Sequence, residues 1–255
     1  MSLMETILIT GAARRLGSLI AEKSASAGCF VWIHYRLHER EAFQLKERIL
    51  HFGGKAACVY ADLREPGDID AMLDHISGSA NPDLTALINN ASVFPKGTLQ
   101  SSSVEDWDLV MNTNLRAVWY LSSRFAERFR MARRIITIGD ASVSGGYAEH
   151  ALYGLSKFSL KYLTEQMAES FAPGIRVNLV SPGVVLQGES EPDEIWQSRV
   201  SGTLTDNSEI VESVMDCISF LMSDPGMTGT ELFPDNGLRI GRKRQCCKSD
   251  DFQVT

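Results

Sequence analysis

A chain of 255 residues, 44% apolar and 22% charged, has the make-up of a folded globular protein and is long enough to bury a core without disulfide or metal staples. Its formal net charge of −7 argues against a nucleic-acid partner, which calls for a basic face or stripe. The five cysteines and five histidines show no metal-ligand spacing, so no metal site is expected and the thiols read as reduced.

The chain alternates short β-branched runs with longer amphipathic stretches. Met1 to Leu3, followed by Met4, reads as an expression scar rather than a secretory signal, and the first strand follows at 6–9. Further strands are expected at 30–33, 56–60, 84–88, 135–138 and 177–180, with a short seventh at 230–233. Helices are expected between them at 16–27, 39–52, 66–77, 104–130 (one bent helix or two), 151–171 and 208–222. The strand runs are almost wholly apolar, as parallel strands covered on both faces require. The pattern predicts an α/β fold: a doubly wound, Rossmann-like parallel sheet of six to seven strands with helices on both faces. No composition break divides the chain, so one domain is expected over 1–240, with a polar extension at 241–255 that carries Arg242, Lys243, Arg244, Cys246 and Cys247. No apolar run approaches the length of a membrane span, and the expected address is the cytoplasm.

The first strand runs into Thr10-Gly11-Ala12-Ala13-Arg14-Arg15-Leu16-Gly17 and then a helix. Small residues in a first βα turn let the backbone approach a pyrophosphate seated on the helix N-terminus, so this turn is the candidate dinucleotide site. The second strand ends His34-Tyr35-Arg36, where NAD-preferring folds place an acid. A guanidinium there suits a 2′-phosphate, with Arg14 and Arg15 adding positive charge, and NADP(H) is the expected cofactor. Glu39, three residues on, keeps NAD open as the alternative.

Four spaced motifs carry a resemblance: the Thr10-Gly11 turn, Asn89-Asn90-Ala91 after strand four, Tyr153-Gly154-Leu155-Ser156-Lys157 on a helix, and Ser181-Pro182-Gly183 after strand six. Over residues 5 to 240 the sequence resembles the short-chain dehydrogenase/reductase family. The spacing of Tyr153 and Lys157 puts both on one helix face, where an ammonium should lower the tyrosine pKa. The resemblance implies that Lys157 holds the nicotinamide ribose and that Asn114 joins Tyr153 and Lys157 in a proton relay. It implies that Asp62 and Leu63 contact the adenine, and that Asn90, Ala91, Ser92, Pro182 and Gly183 line the cofactor. It also implies a homotetramer built through the helices at 104–130 and 151–171.

Three positions depart from the general family pattern: Arg15 in place of a glycine in the turn, Asp140 in place of the serine thirteen residues before Tyr153, and Pro234-Asp235-Asn236-Gly237 near the end. The first two, with Asn89-Asn90-Ala91-Ser92-Val93-Phe94, look similar to the pteridine reductase branch. That likeness implies a pterin or dihydrofolate-like small-molecule substrate, stacked on Phe94 and bounded by Arg15, Ser92, Asp140, Tyr153 and Trp196. A carboxylate would repel a developing alkoxide but can hydrogen-bond an amino-pterin edge and relay a proton. Two other readings remain open. Ser142 can supply the missing hydroxyl of a carbonyl reductase acting on a 3-oxoacyl thioester, sugar or small ketone, or the chain can bind NADP(H) without catalysis. The segment 184–202, with Glu189, Glu191, Asp193 and Glu194, is the expected substrate lid.

Overall fold

The structure, a computed structural model, describes residues 4–81, 83–145, 147–188, 191–205 and 210–241. Residues 1–3, Glu189 in the expected lid, the start of the expected helix at 208–222 and the residues from 242 on, including Arg242, Lys243, Arg244, Cys246 and Cys247, lie outside them.

Seven parallel strands form one sheet: β1 Thr6–Ile9, β2 Phe30–Tyr35, β3 Lys55–Tyr60, β4 Ala86–Asn89, β5 Arg134–Ile138, β6 Arg176–Val180 and β7 Glu231–Leu232, in the order β3-β2-β1-β4-β5-β6-β7. Helices α1 Arg15–Ser26, α2 Glu39–His51, α3 Pro66–Ser77, α4 Val104–Met111, α5 Ala117–Arg128, α6 Ala151–Ser170, α7 Asp193–Ser201 and α8 Ile210–Ser223 connect them. Alternate residues of each strand feed two cores. Ile7, Ile9, Val31, Ile33, Ile88 and Ile136 pack with α1, α2 and α8, whereas Leu8, Trp32, Leu87, Ile135 and Val177 pack with α3, α5 and α6. Two-sided burial is why the strands lack polar alternation. No helix among the described residues is long and apolar enough to cross a membrane.

The fourth strand begins two residues later than the hydrophobic run at 84–88 and extends through Asn89. Leu84 is buried before the strand starts, and the Thr85 hydroxyl accepts the N–H of Thr6. The long stretch at 104–130 is neither one regular helix nor two separated ones. Helix α4 passes through a π-helical stretch at Asn112–Arg116 straight into α5, and that widened turn carries Asn114. Helix α7, inside the expected lid, was not foreseen, because its amphipathic pattern is weak and it buries no residue. Cys29, Cys58 and Cys217 are free and half-buried.

The order β2-β1-β4 reverses the direction of winding between β1 and β4, which opens a crevice at the carboxyl ends of those strands. Beneath it, Phe125 of α5 is fully buried against Phe129. Phe125→Ala is expected to destabilise the fold by about 3–5 kcal/mol, read as a lower urea midpoint, because the cavity cannot collapse between sheet and helix.

Candidate active site

The turn after β1 is cross-braced to the turn after β4. The Thr10 hydroxyl accepts the N–H groups of Asn90 (2.9 Å) and Ala91 (3.0 Å), and the Asn90 amide donates to the carbonyls of Thr10 (2.9 Å) and Gly11 (3.1 Å). A Cβ at Gly17 would lie 2.4 Å from the Gly11 oxygen and 2.6 Å from Asn90 Nδ2, so only glycine lets α1 start this close to the brace. Helix α1 has no side-chain N-cap and no acid in its first turn, which leaves its positive end open to an anion. Arg15, the departure from glycine, adopts a left-handed φ of 54°. Its guanidinium reaches away from the turn and donates to the carbonyls of Leu186 (3.4 Å) and Gln187 (3.1 Å) at the base of the lid. Leu16 packs into the core below.

His34 also supports the turn. It is buried in β2, its Nδ1 accepts the N–H of Gly11 (3.0 Å) and its Nε2 lies 3.1 Å from the carbonyl of Ala61. A carbonyl only accepts, so Nε2 carries the proton. Burial pushes its pKa down to about 4, which keeps the ring neutral and Nδ1 free to accept. The signal for this residue was a lone polar side chain within an apolar strand.

Past β2, Tyr35 donates to Glu39 (3.0 Å), which engages the acid that kept NAD open. Arg36 lies 3.7 Å from Asp62, and Arg64 binds the same carboxylate, holding the Asp62 pKa down at about 2. Arg14 reaches His38 across the same opening, at 3.3 Å. Leu63 is buried in the core rather than open at the surface. On the opposite flank, the Pro182 carbonyl accepts the N–H of Ala141 and the Gly183 N–H donates to Pro234, so 182–183 and the Pro234-Asp235-Asn236-Gly237 turn form one floor.

Asp140, Tyr153 and Lys157 meet at the ends of β5 and α6. Tyr153 donates to Asp140 Oδ2 at 2.7 Å, and the N–H of Ser142 donates to Oδ1 at 2.7 Å. A second phenol, Tyr147, donates to Oδ2 at 2.9 Å. Lys157 is fully buried, donates to the carbonyl of Ile138 (2.7 Å) and has its pKa pushed down to about 8 by burial, with Asp140 opposing the shift. The expected lowering of the Tyr153 pKa by Lys157 is not met. Burial first and the Asp140 carboxylate second hold that hydroxyl well above its usual range, while the ammonium lies 5.8 Å from the ring centre. Among the described residues the Asn114 side chain hydrogen-bonds Val93 and Ser156. Its Oδ1 accepts the N–H of Val93 (2.8 Å), and its Nδ2 donates to the Val93 carbonyl (3.0 Å) and to Ser156 (3.1 Å), clamping the loop segment before Phe94.

Phe94 meets Tyr153 edge-on at 4.4 Å, but one face is already stacked on His150, at 3.8 Å and 11°. His150 Nδ1 lies 2.8 Å from the carbonyl of Pro95. Sequence reasoning missed Tyr147 and His150, which stand six and three residues before Tyr153; that aromatic spacing was the available signal. Ser92 is exposed. Trp196 is half-buried on α7, and among the described residues its ring meets none of these aromatics. The acidic lid is not a uniformly solvated run. Glu191 is held below its usual pKa by the N–H of Gly188 first and then by Arg199, 2.8 Å away.

Residues 11–239 match the family model described as enoyl-(acyl carrier protein) reductase. The chain belongs to the short-chain dehydrogenase/reductase family. Among similar short-chain dehydrogenases/reductases is the 3-oxoacyl-[acyl-carrier-protein] reductase FabG of Haemophilus influenzae, 29% identical over 91% of this chain and 97% of that one. The dihydromonapterin reductase of Escherichia coli is 26% identical over 92% of this chain and 96% of its own length. Among solved structures, FolM alternative dihydrofolate reductase 1 from Brucella canis, complexed with NADP, superposes with a TM-score of 0.87 at 27% identity, covering 95% of this chain and 97% of that one.

Lys157 makes stability depend on pH with a defined sign. Its folded pKa lies near 8, below the unfolded 10.5, so between those values the unfolded chain binds more protons and stability rises with pH. Urea midpoints of the wild type and Lys157→Met at pH 7.5 and 10 are expected to show that this rise is smaller in the variant.

Proposed function

We propose that this family member is an NADPH-dependent reductase of a pterin or dihydrofolate-like ring, working in the cytoplasm. The single observation that carries the reading is the Asp140 carboxylate hydrogen-bonded to Tyr153, where a ketone reductase is better served by a neutral hydroxyl. The N–H of Ser142 donates to the other oxygen of Asp140, which supports a part for this serine in holding the carboxylate. The similarity to a dihydromonapterin reductase and to an alternative dihydrofolate reductase supports the same reading.

The residues suit an NADP(H) dinucleotide. The uncapped start of α1, with the backbone of Gly11, Leu16 and Gly17, would hold the pyrophosphate. Arg14 and Arg36 would bind the 2′-phosphate, Asp62 would flank the adenine with Leu63 packed in the core behind it, and Asn90, Ala91, Pro182 and Gly183 would line the remainder. The chemistry NADPH supplies when bound is hydride transfer to a ring carbon of the substrate. Lys157 spends one proton on Ile138 and keeps two for ribose hydroxyls. Tyr153 donates a proton, and Asp140 accepts from the amino edge of the ring and shares in the proton relay. Phe94, with one face on His150, offers the other to the substrate, while Arg15, Ser92 and Trp196 bound the opening. The part of Asn114 is to fix Val93 and hence Phe94.

NADPH consumption with dihydrobiopterin, dihydrofolate and an acetoacetyl thioester, with NADH controls, tests the reading. Turnover of a pterin or folate, lost in both Asp140→Asn and Tyr153→Phe, is expected. Turnover of the thioester alone, damaged by Ser142→Ala, would instead make the chain a carbonyl reductase, as its likeness to a 3-oxoacyl reductase favours. Arg36→Ala should raise the KM for NADPH by about tenfold or more while leaving NADH little changed, the cost of a charge-assisted phosphate contact.

We further propose that the enzyme is a homotetramer through α4–α5 and α6. Trp107, Trp119, Phe158 and Tyr162 of those helices are all about half exposed or more, and a cleft of ≈470 Å³ runs between the helices. Sedimentation should find a species larger than the monomer, reduced in order by Trp119→Glu with Phe158→Glu.

A further inference from the structure

We propose that Tyr147 is a positioning residue of the reaction centre: it shares one oxygen of Asp140 with Tyr153, so that the carboxylate keeps a phenolic donor when Tyr153 turns its proton toward the substrate. This inference rests on the roles given above to Asp140 and Tyr153.

Oδ2 of Asp140 accepts from Tyr153 at 2.7 Å and from Tyr147 at 2.9 Å, while Oδ1 accepts only from the Ser142 N–H among the described residues. As it stands, the single hydroxyl proton of Tyr153 points at Asp140. To reach a substrate atom it must leave that carboxylate, and in a site where Tyr153 and Tyr147 are both largely buried, an acceptor stripped of a donor is costly. With Tyr147 in place the loss is partial, because Oδ2 retains one phenol. Without it, Asp140 must hold Tyr153 or go unsatisfied at that oxygen.

Tyr147 is built into this place. Its ring stands edge-on to Tyr153 (5.4 Å, 84°) and to Phe94 (5.8 Å, 80°). It packs over Gly154, where an added Cβ would lie 3.4 Å from Tyr147 Cβ, an ordinary van der Waals contact. Burial and Asp140 push its hydroxyl well above the usual range, so it remains a donor across the working pH range. Ser142 and Arg199, the latter on lid helix α7, are the other groups that act on it.

Tyr147→Phe keeps the ring packing and removes only the donor. With the substrate found above, kcat is expected to fall about tenfold while the KM for NADPH stays within about twofold, the pattern of an interaction that matters on the way to the transition state. A second readout needs no turnover. In protein labelled at the tyrosine ring carbons, NMR of slowly exchanging hydroxyl protons should show the Tyr147 signal lost and the Tyr153 signal moved downfield, as Tyr153 becomes the sole phenol on Oδ2. An unchanged kcat with Tyr153→Phe inactive overturns the role of Tyr147 alone, as does an unmoved Tyr153 signal. Full turnover in Tyr153→Phe overturns the reading of the centre on which the role rests.

Discussion

Thr10 and Asn90 hold two backbones together where a parallel sheet alone would let them part. β1 and β4 are neighbours in register, but the chain leaves them toward opposite faces, so nothing in the ladder ties one turn to the other. One hydroxyl taking two N–H groups, and one amide giving to two carbonyls, satisfy the polar backbone at the bottom of the crevice. Gly17 is pinned by the same contact, His34 braces it from β2, and the open end of α1 is aimed by it. Each element of the candidate cofactor site takes its position from that brace.

The second constraint is electrostatic. A carboxylate, two phenols and a lysine are gathered in a space where water solvates them poorly, and each is answered by protein dipoles: Asp140 by three donors, Lys157 by the Ile138 carbonyl. The aspartate changes the logic of the Tyr–Lys pair. An ammonium beside a tyrosine favours phenolate, but here burial first and the hydrogen-bonded carboxylate second favour the phenol, and together they hold its pKa up. Such a centre is poised to give a proton rather than to take one, which accords with reduction.

The lid is tied to the rest at both ends. Arg15 grips the Leu186 and Gln187 carbonyls from the phosphate turn, and the N–H groups of Leu204 and Thr205 bind the carbonyl of Asn236 in the turn that also carries the floor under Gly183. Arg15 and Asn236 both hold left-handed backbone conformations, and both sit where the sequence departs from the general pattern of its family. These two departures therefore both hold the segment that follows β6, whereas the third, Asp140, stands apart from it.

The amino-acid order by itself determined the alternation of strand and helix, because two-sided burial makes parallel strands continuous apolar runs whose length and spacing are visible without coordinates. It also determined Tyr153 and Lys157 as a pair, since helical periodicity puts residues four apart on one face. It could not supply the start of β4, where Thr85 bonds Thr6 through backbone and side chain before the strand begins, nor the π-helical turn that carries Asn114, whose amide bonds Val93 from a distant part of the chain. Asp140 and Phe94 were legible as departures and likenesses, but Tyr147 and His150 stand ahead of α6, where their spacing from Tyr153 was visible but no helical period says which way they point. The sign of the Tyr153 shift was misjudged because spacing along a helix reports that Lys157 is near, but only the folded chain shows the hydroxyl buried and Asp140, from the end of β5, hydrogen-bonded to it. Distances between elements far apart in sequence belong to the tertiary structure, and in a buried site those distances decide which charge prevails.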